Sequence, residues 1–306
     1  MKNTLLPLSL LLFLAAVLPA AIVSDVRAYL NRQDFPAAEK LIAEAKGSGP
    51  WTPELLEAHS WIARGHLAAK HYDEALSWAE KTRALCLAIM KRQALDREKH
   101  LPIAFGATIE VTGQALAAQG QRSEAVTYLE GQLKKYYATS IRTRVQKNLH
   151  LISLEGKPAP DLELREAIGP NKARPLSALK GKPLLLFFWA HWCGDCKQQG
   201  PVLETLAKEF GPRGLLFVGP TQRYGYVAGG EEATPAQEKP YIAEVFQKFY
   251  ANIPGLQVPL SEENFKRYGA STTPTLVLVD KAGIVRLYHP GKMTEADLRA
   301  KIASLL

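Results

Sequence analysis

The chain has 306 residues, of which 47% are hydrophobic, 22% are charged and three are cysteines. At about 150 residues per domain this length predicts two ordinary domains, each with its own core, and the composition excludes extensive disorder and a disulfide-stapled scaffold. The formal charge of +8 is spread thinly: 18 − 15 = +3 over residues 22–155, 19 − 15 = +4 over residues 156–306, and one unit from Lys2. With no basic block and no aromatic-interleaved Arg/Lys stripe, this charge reads as a solvated surface, and no nucleic-acid partner is expected.

Lys2 precedes an apolar run over residues 5–18, interrupted by Pro7 and Ser9 and followed by Ala20 and Ala21. That order is the pattern of a secretory signal peptide over residues 1–21, and the run is short for a spanning helix, which needs about 20 apolar residues. The reading places the rest of the chain across the inner membrane, periplasmic or envelope-associated; an uncleaved N-terminal anchor is the alternative. No later segment reads as apolar enough to span.

Residues 22–154 carry almost no strand signal. Three segments align on one alanine: Asp34-Phe35-Pro36-Ala37-Ala38-Glu39, His71-Tyr72-Asp73-Glu74-Ala75-Leu76 and Gln121-Arg122-Ser123-Glu124-Ala125-Val126. Tyr72-Asp73-Glu74-Ala75-Leu76 resembles the opening of the second helix of a tetratricopeptide repeat, whose period is about 34 residues. Gly113 and Gly120 fall where that repeat places a small helix-contact residue and its turn. The expectation is a short stack of about three helical hairpins, with the extra length before the third unit taken up by a long helix over residues 81–97 or a loop at His100-Leu101-Pro102. Such a stack exposes a groove suited to a protein partner; a helical spacer is the equal alternative. Cys86, on an apolar helix face, reads as a buried and inert thiol.

Glycine and prolines at Gly156-Lys157-Pro158-Ala159-Pro160 end the helical pattern. Strands are expected at residues 184–189, 215–219, 275–280 and 284–289. Helices are expected after Cys193, over residues 240–250, and from a Thr294 cap to the end. The sequence therefore predicts two domains: an all-α helical-hairpin domain (22–154), then an α/β domain with a mixed central sheet (155–306). Residues 222–230, with Tyr224, Tyr226 and Gly229-Gly230, followed by residues 231–238, read as an insertion near the active edge, a solvated loop with a substrate-specific lid as the alternative.

Chemistry concentrates at Trp189-Ala190-His191-Trp192-Cys193-Gly194-Asp195-Cys196-Lys197. Two cysteines three apart where a strand feeds a helix can close a disulfide within the first turn. The first sulfur also meets free backbone N–H groups and the positive end of the helix dipole, which favour its thiolate. Zinc would want four ligands, for which only His191 and distant Cys86 supplement the pair, and covalent haem needs histidine where Lys197 stands. No metal or cofactor is expected.

Here the chain resembles the thioredoxin superfamily, and within it the TlpA/ResA-like envelope thiol:disulfide oxidoreductases. The resemblance covers about residues 155–306 and also rests on Leu179-Lys180-Gly181-Lys182-Pro183 and Thr273-Pro274-Thr275. It implies that Cys193 attacks a disulfide of a protein substrate, that Cys196 resolves the mixed disulfide, and that Pro274 is cis. It further implies that Trp192, Thr273 and Pro274 meet the substrate, and that the protein is a reductase fed by a membrane electron donor. Two departures stand out: Phe187 occupies the position of a buried acid, and Gln198-Gln199-Gly200-Pro201 lacks a family glutamate. Asp195, His191 and water remain as proton acceptors, with Asp195 raising a neighbouring thiol's pKa and a charged His191 lowering it. The alternative function is a helical-repeat interaction protein whose thioredoxin-like part is redox-weak.

Overall fold

The structure, a computed structural model, describes residues 20–171, 174–179 and 181–306. The expected signal segment lies outside the described residues except for its last two positions. From there seven helices follow in antiparallel succession: α1 (Ala20–Asn31), α2 (Phe35–Lys46), α3 (Pro53–Ala68), α4 (Tyr72–Met90), α5 (His100–Ala118), α6 (Arg122–Lys135) and α7 (Arg142–Ser153). The three aligned alanines are each the fourth residue of α2, α4 and α6, and all three are fully buried. The turn before each of these helices is also the same. Gln33, Lys70 and Gly120 take positive φ, and the next N–H reaches back five residues, from Asp34 to Tyr29, His71 to His66 and Gln121 to Leu116. This closes the preceding helix with a left-handed residue and satisfies its last carbonyls. Gly113 is small for a reason: a Cβ there would lie 2.8 Å from Leu129 on α6.

The extra length before the third hairpin is taken up mostly by a longer helix, α4 having 19 residues against 12 in α2, though not as far as residue 97, and not by a loop at Pro102. α4 stops at Met90, a connection with one short turn (Leu95–Arg97) follows, and Pro102 sits in the first turn of α5. A proline is tolerated there because the first N–H groups of a helix have no intrahelical partner. α5 is long and apolar enough to cross a membrane, contrary to the sequence expectation. Its Leu101, Phe105 and Ile109 instead build the core of the helical half, packed with Leu56, Cys86, Leu129 and Val145.

The second half is a four-stranded mixed sheet in the order β3-β2-β5-β6, with β2 (Leu184–Phe188) parallel to β3 (Leu216–Val218) and antiparallel to β5 (Thr275–Val279), which pairs antiparallel with β6 (Val285–Pro290). A short ribbon of β1 (Ala167–Ile168) and β4 (Val258–Pro259) continues the β3 edge through bridges at Val218–Gln257 and Thr221–Leu260. Both faces of the central strands are buried, so β2 reads as an unbroken apolar run rather than an alternating one. Leu185, Phe187, Leu276 and Leu278 face α8 (Gly194–Phe210), α9 (Pro235–Phe249) and α11 (Glu295–Ala303). Leu184, Leu186, Phe188 and Val277 face α10 (Glu262–Tyr268) together with Leu154. Helix α9 begins five residues before the expected start, because Thr234 and Gln237 form a reciprocal capping box ahead of Pro235.

The two halves meet through α7. Gly269 ends α10 in the left-handed region, and a Cβ there would lie 2.3 Å from the Lys147 backbone nitrogen, so only glycine lets α7 approach. Burial holds His150 below its ordinary pKa, and its Nε2–H donates to the Arg267 carbonyl at 2.9 Å. The Glu155 carboxylate accepts the Tyr288 N–H at 3.0 Å.

Two measurements check this half. Lys70→Gly relieves a left-handed residue and is expected to stabilise the protein by about 0.5–1 kcal/mol, whereas Gly120→Ala is expected to destabilise it by a similar amount; urea midpoints moving the other way would contradict the turn assignment. Burial pushes the Cys86 thiol up to about 12, so iodoacetamide at about pH 8 should leave it unmodified in the folded, oxidised protein and label one thiol after denaturation. Labelling of Cys86 in the folded state would contradict its burial.

Candidate active site

β2 delivers the chain to the site, and three hydrogen bonds hold its end. The Trp189 N–H donates to the Pro220 carbonyl at 3.1 Å, its indole Nε1–H donates to the Gly219 carbonyl at 2.9 Å, and its own carbonyl accepts the Thr221 hydroxyl at 2.9 Å. The turn that follows makes Cys193 the N-cap of α8, in extended conformation, with its Sγ accepting the Cys196 N–H at 3.0 Å. Cys193 and Cys196 are joined in a disulfide. The Cys193 Sγ lies 3.4 Å from the Thr273 carbonyl oxygen, and the Thr273–Pro274 bond is cis. The Thr273 hydroxyl is buried and has no hydrogen-bond partner among the described residues.

Both sulfurs are buried in this oxidised state, Cys193 at 3% exposure and Cys196 at 0%. The two cysteines therefore differ little in accessibility, because the Thr273 loop lies against Cys193. Trp192 is the exposed member of the site, at 49%. Asp195 is exposed and pairs with Lys292 at 3.1 Å; the same ammonium donates to the Gln198 side chain at 2.7 Å. An opposite charge so placed offsets the repulsion that Asp195 would exert on a neighbouring thiolate, weakly, since the pair is solvated.

Phe187, and Gln199 of the stretch that lacks a glutamate, are built into the core. Phe187 packs edge-on against Tyr250 at 5.6 Å between ring centres, and Tyr250 also meets Trp189 at 4.7 Å. The Tyr250 phenol has its pKa raised by burial, out of the range of a base at neutral pH. Gln199 is buried and its carbonyl oxygen accepts the Met293 N–H at 2.9 Å. α8 comes close to the end of α9 here: a Cβ on Gly200 would lie 2.9 Å from the Phe249 carbonyl oxygen.

His191 behaves differently from the charged tuning group considered from sequence. It is 1% exposed, burial lowers its pKa, and a hydrogen bond to Glu238 opposes that only in part. The neutral ring donates Nε2–H to Glu238 Oε1 at 3.2 Å, leaving Nδ1 buried without a partner among the described residues. Glu238 also accepts the N–H groups of Tyr224 at 2.5 Å and Gly225 at 2.9 Å. The segment read as a solvated loop is thus held against the site, because its backbone N–H groups are satisfied by a buried carboxylate instead of water. The Tyr224 ring stands edge-on to His191 at 5.4 Å and to Trp192 at 5.5 Å. Glu238 and Lys292 escaped the sequence reading: an acid in a helix's first turn reads as a dipole complement, and a lysine after a strand reads as surface.

No group of three His, Cys, Asp or Glu side chains able to hold a metal occurs among the described residues. A cavity of about 560 Å³ lies at the seam between the halves, lined among others by Pro102, Ile141, Arg144 and Ser271, and it contains none of the site residues above.

Comparison with known proteins places this half. The Redoxin family pattern matches residues 154–302. The chain is 28% identical over 151 residues to the thioredoxin-like protein YneN of Bacillus subtilis, covering 48% of this chain and 78% of that one. It is 30% identical over 143 residues to the thiol-disulfide oxidoreductase ResA of the same species, covering 46% and 70%. To the thiol:disulfide interchange protein DsbE of Vibrio cholerae it is 29% identical over 155 residues, covering 50% and 73%. The chain belongs, through the half that carries the Cys193–Cys196 disulfide, to the redoxin family of thioredoxin-like proteins, among relatives of the ResA and DsbE thiol:disulfide oxidoreductases.

Proposed function

We propose that the protein exchanges disulfides with protein substrates through Cys193 and Cys196, as a reductase of the bacterial cell envelope. The observation that carries this reading is the placement of Cys193 as the N-cap of α8, its sulfur facing the Cys196 N–H on one side and the Thr273 carbonyl on the other. A thiolate at that position gains from the helix dipole and from an N–H donor, and the thiolate is the attacking species.

In the reduced protein, the Cys193 thiolate attacks one sulfur of a substrate disulfide. That bond breaks, and the departing substrate sulfur leaves as a thiolate and is protonated. Cys196, having lost its proton, then attacks the Cys193 sulfur, which releases the second substrate thiolate and closes the Cys193–Cys196 disulfide. Two electrons have passed to the substrate, and a membrane electron donor returns them to the pair. An extended substrate segment would lie along Thr273 and Pro274 as an added strand, with Trp192 exposed beside it.

The same proposal assigns residues 1–21 to an export signal, 22–154 to a tetratricopeptide-like domain and 155–306 to the thioredoxin-like domain. Support for the repeat assignment comes from the common turn and the buried fourth-position alanine of α2, α4 and α6. The helical domain would hold a protein partner in its groove.

Trapping tests the assignment of the sulfurs. Cys196→Ser is expected to accumulate a covalent complex with the natural substrate, separable under non-reducing conditions and identifiable by mass spectrometry, while Cys193→Ser forms none. Accumulation through Cys196 in the Cys193→Ser variant would reverse the roles, and no complex in either would contradict the exchange function.

A further inference from the structure

Glu238 is a buried carboxylate in a place where the core has no use for one. It lies in the first turn of α9 at 1% exposure, as does its partner His191. Removing a carboxylate from water is costly unless hydrogen bonds replace hydration, and here three N–H donors do so: His191 Nε2, Tyr224 N and Gly225 N. These donors come from two separate places. His191 belongs to the turn between β2 and α8, one residue from Trp192 and two from Cys193. Tyr224 and Gly225 belong to the segment after β3. One carboxylate therefore ties the 222–238 segment to the active-site turn.

The tie fixes an aromatic surface. The rings of Tyr224, Tyr226 and Tyr241 stand edge-on around His191 at 5.2–5.4 Å, and Tyr224 continues the contact to Trp192. Lys197 is the cation that acts on the imidazole from α8. Trp192 remains half-exposed, with one edge braced by Tyr224 and the rest open to solvent.

We propose that Glu238 is a positioning residue: by holding His191, Tyr224 and Gly225 together it fixes the Trp192–Tyr224 face, against which the polypeptide chain flanking a substrate disulfide packs an apolar side chain. This rests on the exchange function proposed above and adds to it a class of substrate, a protein disulfide flanked by an apolar residue rather than a small disulfide. Glu238 touches no reacting sulfur, so its effect is on substrate placement and not on the thiol chemistry.

Two single-turnover measurements on the reduced full-length protein separate these effects, one with insulin, whose disulfides carry flanking chain, and one with hydroxyethyl disulfide, which has none. Glu238→Gln removes the charge and one acceptor oxygen. It is expected to slow the insulin reaction about tenfold or more at subsaturating substrate, to change the hydroxyethyl disulfide rate less than about twofold, and to make Trp192 fluorescence more accessible to acrylamide. Tyr224→Ala leaves the Glu238–His191 pair in place and removes the bracing ring. It should reproduce the insulin loss, and it decides the matter if Glu238→Gln fails to fold. Equal losses with both disulfides, or an unchanged insulin rate in Tyr224→Ala, would overturn the proposal. A wild-type protein inert toward both would instead overturn the exchange function on which it rests.

Discussion

The first N–H groups of α8 have no carbonyl acceptors within the helix, and the structure answers that need at Cys196 with a sulfur. A side-chain oxygen at the N-cap would do the same with less effect on reactivity. Because Cys193 is the cap, the group that completes the helix is also the group that the helix dipole favours as an anion. The rest of the second half fixes where that sulfur sits. β2 is clamped on both sides and at its end by Trp189, and α8 is pressed to the end of α9 through Gly200. Across from it, β5 begins immediately after Pro274, so the sheet sets the distance from the Thr273 carbonyl to the sulfur.

The surroundings of the pair are divided in character. Beneath it, Phe187, Trp189 and Tyr250 make a dry aromatic layer in place of an acid. Beside it, the Glu238–His191 pair is polar but sealed, whereas Asp195 is open to water and paired with Lys292. Desolvation of the carboxylate is tolerable because the imidazole Nε2–H and two backbone N–H groups replace its hydration. The helical half reaches the same region by a different route. α7 packs on α10 through the space left at Gly269, and α10 leads within a few residues into the segment that ends at Pro274. The loop facing Cys193 is thereby supported from both halves of the chain.

Much of this was readable in the sequence, and for identifiable reasons. The buried strand at 184–188, the cap at Thr294 and the helix after Cys193 follow from apolar run length, capping chemistry and a strand-to-helix cysteine pair, all of which are local signals. The repeated alanine was readable because each hairpin buries the same fourth-position contact. What escaped was set by tertiary contacts. Pro102 looked like a loop because its position within a first turn depends on where α5 begins. The 222–238 segment looked solvated because glycines and charged residues predominate, and nothing local reveals that Glu238 turns inward to meet His191. Gly269 and Gly200 carry no signal of the backbones that approach them. For His191, proximity to the cysteines suggested a charged tuning group, while its burial, which the sequence does not state, holds the ring neutral.

The start of α8 makes Cys193 the acidic thiol of the pair. Titration of the reduced protein by its ultraviolet thiolate absorbance tests it directly. One thiol is expected to ionise below the ordinary cysteine value of about 8.5, retained in Cys196→Ser and absent in Cys193→Ser, with Cys86 silent in the same range. Ionisation of both thiols at or above that value, or a low-pH transition that disappears only in Cys196→Ser, would contradict it.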